Sequence, residues 1–467
     1  MGMDSEAGMF LQAGESLLAG IGGSAACPLL STVAERMSFM ETLRIACIGA
    51  GSAIGARTSG YLAVINQLHD MYDQFAIMDI NEDNARAAAA AYDIPEVYTN
   101  LDDLFTNGKP DVVVRLAPTD SAFAICMAAA EAGCHILSEI PIDFSLPRAD
   151  AIIAKCREQG VKLEIAENVW TWPRERLKQM IVAQGLIGEI THCRLKYPCG
   201  AYHGFSAIRK LVGAEPERVL GWDGKVPVVN MVSYGGEPMS DTTWDGGLIK
   251  FPGHVQCIFE MPPKRPVWRH AWDIEGTKGF LGAVAGAVDK AKGHRQGEAL
   301  VLDDPETLQQ LTDDFEAGAT DRERHYPIEW VYGERDGQQV LECVKVNTDP
   351  PVVWENPYAK YGICEDDAVA KATYLEGLYW AVVEDRPLAY GAENARRDME
   401  LWIAIRESAW KGNVWVDLPL TEITSVEQAM HEEFQRRYGC DPLGDLDKQL
   451  QVPYNRTAVM WIVAGWL

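Results

Sequence analysis

The sequence predicts an α/β protein whose first part is a doubly wound parallel sheet. An apolar run, LRIACI at 43–48, leads straight into a glycine-punctuated turn and then a helical pattern. Strand-type and helix-type segments then take turns as far as residue 168, as parallel strands joined by crossover helices require. The chain has 467 residues, 47% of them hydrophobic, which suits two domains with sizeable cores.

Taken in order, residues 1–40 read as an N-terminal extension. The stretch SLLAGIGGSAACPLL has the apolar character of a secretion signal, but the segment before it, MGMDSEAGMF, is acidic where a signal needs Lys or Arg. A cytoplasmic location is therefore expected. The dinucleotide-binding domain is placed at 41–168. After the first strand, Gly49, Gly51 and Gly55 form G-x-G-x-x-x-G, one residue longer than the usual fingerprint. Gly49, Gly51 and the following Ser52, Ala53 and Ile54 would bring backbone N–H groups close to a pyrophosphate at the helix N-terminus. The strand QFAIMDI carries Asp79, 24 residues beyond Gly55, where a carboxylate can bond both ribose hydroxyls of an adenosine. That acid favours NAD over NADP, because it repels a 2′-phosphate. Asp79 and Asn81 also precede the Ala-rich helix NARAAAAAY and suit a helix cap.

The alternation continues through DVVVRLAPT, SAFAICMAAAEAG, CHILSEI, LPRADAIIAKCREQG and VKLEIAEN. Ligands of such sheets bind at the carboxyl ends of the strands. Ala117, Pro118, Glu139 and Asn168 fall at those ends and should border the cofactor.

Charge narrows the partners. Lys and Arg number 42 against 68 Asp and Glu, a formal charge of −26, which repels nucleic acid and anionic membrane and leaves a small molecule as the expected ligand. No apolar run reaches the ~20 residues of a membrane span. The 11 cysteines form no C-x-x-C pair and sit in apolar contexts such as AICMAA, so they read as reduced core residues with no metal site.

The segments GAGSAIG, KPDVVVRLAPT, EAGCHILSEIP, QGLIGEI and YGAENARRDMELWIAIRESAWKGNVWVDLPL, in that order, resemble the Gfo/Idh/MocA oxidoreductases over roughly residues 43–420. The resemblance implies a Rossmann dinucleotide-binding domain followed at 169–420 by an α/β domain with a large open, mainly antiparallel sheet. It also implies NAD as cofactor, a carbohydrate, glycoside or cyclitol as substrate, and a homo-oligomer formed through the open sheet. Strands of the second domain are expected at EITHCRLKY, GGLIKF, HVQCIFEM and AWDIEGTKGFLGA, and helices after WENPYAKYG. Residues 421–467 read as a polar C-terminal extension.

Two departures from the family pattern stand out. The family usually carries Glu-Lys-Pro, where the lysine reaches the reacting hydroxyl; this chain has Glu139-Ile140-Pro141, and Ile140 offers substrate only an apolar wall. The family's Asp-x-x-x-His motif has its counterpart in His203, with Cys199 at the aspartate position. Imidazole, with a reference pKa of about 6.5, suits the proton acceptor of a carbinol oxidation. Tyr202, Tyr197 and Lys196 lie close in sequence and are expected to assist; the plain alternative is a histidine satisfied by structural hydrogen bonds. In ENVWTWPRER, Trp170 and Trp172 offer flat faces for a sugar ring, or serve as packing. Trp244, Asp245 and His254 are weaker candidates, for which a strand and turn suffice. Glu-Ile-Pro followed by a later Glu-Asn is also similar to the NAD-dependent glycosidases of the α-N-acetylgalactosaminidase type, which carry Glu-Val-Pro. That branch implies redox-neutral elimination and hydration, with Tyr202 as the base for the C–H proton. Three readings stand: a dehydrogenase, a redox-neutral glycosidase, and a silent nucleotide-binding sensor.

Overall fold

The computed structural model describes residues 42–51, 56–197, 201–232, 238–263, 271–284, 297–303, 323–454 and 458–463. The expected extension 1–40, the loop residues Ser52, Ala53 and Ile54, and Cys199 lie outside the described residues.

The first sheet contains β1 (Leu43–Ile48), β2 (Tyr72–Met78), β3 (Glu96–Tyr98), β4 (Val112–Arg115), β5 (His135–Ser138) and β6 (Leu163–Ile165). All are parallel, in the order β3-β2-β1-β4-β5-β6. Strands covered on both faces must be apolar at nearly every position, and Val112, Val113 and Val114 are all fully buried. The connecting helices are α1 (Ala56–Gln67), α2 (Glu82–Tyr92), α3 (Ala122–Glu131) and α4 (Leu146–Gln159). Asn81, rather than Asp79, caps α2, its side chain accepting from the backbone N–H of Asp83 and Asn84. The strand order reverses between β1 and β4, the switch point whose carboxyl-end crevice is where sheets of this kind bind their ligands.

The second sheet has nine strands, in an order that starts at β16 (Glu323–Pro327), β15 (Glu298–Asp303), β14 (Gly279–Ala283) and β13 (Ala271–Gly276). It continues through β7 (Ile190–Lys196), β12 (Gln256–Met261), β11 (Asp245–Lys250), β8 (Arg218–Trp222) and β20 (Val416–Asp417). Every pairing is antiparallel except β7 with β12, so the expected large, mainly antiparallel sheet is present. Alternation separates its faces. Cys193, Leu195, Cys257 and Phe259 are buried, whereas His192, Arg194 and Ile258 are exposed. On the buried face, α6 (Ala201–Val212) sets Phe205 edge-on against Phe259, with ring centroids 4.9 Å apart. Helix α8 (Ala392–Trp410) lies so close to β8 that a Cβ at Gly221 would strike the Ile405 carbonyl. Hairpin β9 (Lys225–Val232) with β10 (Pro238–Thr243), and the three-stranded sheet of β17 (Glu329–Arg335), β18 (Gln338–Val346) and β19 (Val352–Glu355), complete the β structure.

Helix α7 (Asp366–Glu384) returns to the first sheet, packing on α1 and accepting the Tyr72 hydroxyl on the Leu375 carbonyl at 2.7 Å. The segment expected as a polar extension departs from that reading. Helix α9 (Ser425–Tyr438) carries Val426, Met430 and Phe434 at i, i+4 spacing, and burial of this stripe contributes about 1.5–3 kcal/mol per side chain. Thr424 and Glu427 form a capping box, and Glu427 also accepts the Leu146 N–H at 2.8 Å. Arg148 pairs with Asp143 at 2.6 Å and lies over the rings of Phe123, Phe144 and Phe434. The stripe escapes a composition reading because acids and glutamines surround it. No helix among the described residues is long and apolar enough to cross a membrane.

Candidate active site

Polar ties join the strand ends along the crevice. Gly49 has φ +105°, and a Cβ there would lie 2.8 Å from the Ala117 nitrogen, so only glycine lets the first turn press against the turn after β4. Asp79 Oδ2 accepts from the backbone N–H of Ala50 at 2.7 Å and of Gly51 at 3.2 Å, and Oδ1 accepts from Asn81 at 2.8 Å. The acid predicted to bond a ribose therefore also holds the glycine turn in shape. At the end of β5, Glu139 accepts the buried Tyr61 hydroxyl at 2.9 Å, and Arg57 lies 3.5 Å from the same carboxylate oxygen. Burial and then the Glu139 charge push the Tyr61 phenol well above its usual range. Arg57 also lies 3.6 Å from Asp367 of α7, which receives the Asn168 side-chain amide and pairs with Lys371 at 3.3 Å. Burial opposes ionisation of Asp367, but Lys371 and Arg57 together hold its carboxyl below the ordinary range.

Beside this cluster, His203 of α6 bonds Glu167 through Nδ1 at 2.8 Å. Both side chains are nearly buried, 7% and 2% exposed. An ionised carboxylate only accepts, so this bond calls for a proton on Nδ1, and in the neutral imidazole Nε2 then keeps its lone pair. The pair is enclosed by aromatic rings: Tyr202 at 4.9 Å, Tyr197 at 6.0 Å, and Trp272 at 5.6 Å from Tyr197. Burial pushes the Asp398 carboxyl up to about 7 against the opposing charge of Arg209, and Glu167 adds to the rise.

The structure thus brings His203, Tyr202 and Tyr197 together, while Lys196 pairs with Glu260 on the neighbouring strand at 3.2 Å. Trp170 is 5% exposed and stacks on Tyr390 at 5.4 Å, with Arg176 and Lys210 over its ring. Its faces are filled by protein, which corrects the expectation of a sugar platform there. Trp172 and Ile140 are half-buried.

Residues 43–167 match the family described as "Oxidoreductase family, NAD-binding Rossmann fold", Gfo/Idh/MocA. The match covers the first domain alone, an NAD-binding Rossmann domain similar to those of that family. Among curated relatives, D-glucoside 3-dehydrogenase of Escherichia coli is 28% identical over 34% of this chain and 44% of its own length. The 2,7-anhydro-N-acetylneuraminate hydratase of Mediterraneibacter gnavus is 22% identical over 43% of this chain and 58% of its own. The chain thus matches less than two thirds of the length of these relatives. Among solved structures, the WlbA dehydrogenase of Bordetella pertussis in complex with NADH and UDP-GlcNAcA superposes with a TM-score of 0.55 at 16% identity, covering 81% of this chain and 100% of that one. At that identity the likeness concerns the fold.

The Rossmann domain's residues fit NAD. Gly49 and Gly51, the latter at φ +67°, leave room for a close approach at the β1 turn, and Asp79 stands at the end of β2. The Ala117–Pro118 turn and Glu139 follow the carboxyl ends of β4 and β5, on the other side of β1 from Asp79. Several site members escaped sequence reasoning. Arg57, Tyr61, Asp367 and Lys371 carry no local signal, since their partners come from distant elements. Glu167 was legible as a strand-end acid but not as the partner of His203.

Proposed function

We propose that the protein is an NAD-dependent oxidoreductase acting on a ring hydroxyl of a sugar, glycoside or cyclitol. The observation carrying this reading is the buried bond from His203 Nδ1 to Glu167. A carbinol gives up its hydride only as its proton leaves, and a base fixed in one tautomer, with Nε2 unprotonated, is suited to take that proton. Glu167 orients the ring and offsets the positive charge the imidazole acquires. The apolar enclosure by Tyr197, Tyr202 and Trp272 limits water around the reacting hydroxyl. Bound NAD supplies the hydride acceptor. The likeness to the glucoside dehydrogenase supports a sugar-like substrate.

A second reading is redox-neutral glycoside cleavage, in which the oxidised carbon acidifies its neighbour, the leaving group is eliminated, water adds and the hydride returns. The Tyr202 ring beside His203 and the likeness to a hydratase favour it. One experiment separates them: the purified protein is screened against sugars, glycosides and cyclitols for NADH formation and aglycone release. In a dehydrogenase NADH accumulates, His203→Ala lowers turnover by roughly two to four powers of ten with NAD still bound, and Tyr202→Phe matters less. In a redox-neutral enzyme aglycone appears without net NADH, deuterium on the carbon next to the oxidised one washes into solvent, and Tyr202→Phe is the more damaging change. Parental activity in both variants would sink the assignment of this site.

A further inference from the structure

Arg115 ends β4 inside the Rossmann sheet and is 1% exposed, following three buried valines in VVVR. Its guanidinium donates through Nε to the Ser138 hydroxyl at 2.6 Å and through Nη1 to the Ala117 carbonyl at 2.9 Å. Through Nη2 it donates to the carbonyl of Glu139 and, at 3.4 Å, to that of Pro141. One fork therefore spans two turns, the one after β4 with Ala117 and Pro118 and the one after β5 with Glu139, Ile140 and Pro141. Burying a cation whose hydrogen-bond acceptors are all neutral oxygens is costly even with the Asp143 carboxylate near enough to feel its charge, and a fourth valine would pack the strand without that cost. What a valine cannot do is hold two irregular turns at a fixed separation, which a planar group with five donors does.

The place of the fork matters. Asp79 marks the adenosine end at β2, and the Gly49 turn at β1 presses on Ala117, so the turns tied by Arg115 lie on the far side of the pyrophosphate crevice. We infer that Arg115 is a positioning residue for the nicotinamide half of the cofactor, acting through the Ala117–Pro118 and Glu139–Pro141 turns rather than by touching the dinucleotide.

The test uses the full chain and needs no substrate, so its failure is separable from failure of the oxidoreductase reading. Calorimetric titration with NAD and with ADP-ribose, which lacks the nicotinamide, is run on the parent, Arg115→Lys and Ser138→Ala. Lysine keeps the charge but cannot span both turns. We expect it to raise the Kd for NAD about tenfold, the worth of one charge-assisted hydrogen bond, with the ADP-ribose Kd within about twofold. Ser138→Ala removes one acceptor of the fork together with the hydroxyl's own bond to the Glu139 carbonyl at 3.1 Å, both ties of the same turn, and should show the same split at about threefold. Equal losses for the two ligands would mean general loosening and would overturn the inference, as would an unchanged NAD Kd in both variants. If Arg115→Lys does not fold, Ser138→Ala decides: no difference between its losses for the two ligands overturns the inference.

Discussion

Replacing Glu167 by glutamine tests the proposed base without moving its backbone. The side chains are nearly isosteric, and the 2.8 Å bond to His203 Nδ1 lies in a nearly dry setting, so the change removes charge rather than volume. Two limits frame the effect. If the amide presents its oxygen to Nδ1, only the charge assistance is lost, about 1.5 kcal/mol or roughly tenfold in turnover. If the amide presents its NH2, it donates to Nδ1, moves the ring proton to Nε2 and removes the base, which costs about two to four powers of ten. The expected loss in kcat is therefore at least about tenfold, with NAD affinity held within about twofold because the cofactor ties run through other residues. The assay is steady-state turnover of whatever carbinol the parent oxidises, with NAD titrated separately. Full turnover in Glu167→Gln, beside a dead His203→Ala, would show that His203 needs no orienting carboxylate.

Two further outcomes follow from the same geometry. Asp79→Ala should weaken NAD binding by ~1–3 kcal/mol, since the carboxylate holds the Ala50 and Gly51 N–H groups of the glycine turn and is the proposed partner of the ribose; the parent should prefer NAD, and equal or tighter NADP binding by calorimetry would count against the assignment. Burial pushes the Glu164 carboxyl up to about 7 against the pull of the Gly391 and Tyr390 N–H groups, above its usual ~4.3, so the stability its protonation contributes is fully present below about pH 4 and is lost as pH rises through 7. Glu164→Gln should therefore flatten the fall in urea midpoint between pH 5 and 8, and an undiminished fall would refute the attribution.

How much could be read in the residues depends on the range of the interactions. Five of the six parallel strands were legible because strands buried on both faces are short apolar runs closed by turn residues, and Asp79, Ala117 and Glu139 follow from where such runs end; the edge strand β3, three half-buried residues, carries no such run. The β17–β18 hairpin also carried a signal that went unused: Asp336-Gly337 between alternating segments, with φ 50° and 77°, is the sequence of a tight hairpin turn. Arg115 was visible in principle as a charge closing a valine run. Contacts over long separations left no trace. Asn168 meets Asp367 199 residues away, and Trp170 is filled by Tyr390, so two tryptophans that looked like a sugar platform were partly core. Glu167 and His203 are 36 residues apart across a domain boundary, and only the docking of α6 on the strand ends makes them neighbours.

That pair also bears on the silent-sensor reading. The family's aspartate position holds Cys199, which would leave His203 without an orienting acid if the motif were the only source of one. Orientation, however, requires an acceptor at hydrogen-bond distance, not at a given place in the chain, and Glu167 supplies it from the end of the first domain. Such a pair is poor value for stability alone. Taking an ionisable carboxylate and an imidazole out of water costs several kcal/mol, and well-packed apolar residues in their place are often neutral or stabilising by about 1–4 kcal/mol. A sensor gains nothing from the cost, whereas a base catalyst requires it. The double replacement His203→Leu with Glu167→Leu is therefore expected to abolish turnover, to leave NAD bound, and to leave the denaturant midpoint unchanged or higher. A loss of stability above about 3 kcal/mol in that double variant would mark the pair as a structural tie. The base would then have to be sought elsewhere in the crevice.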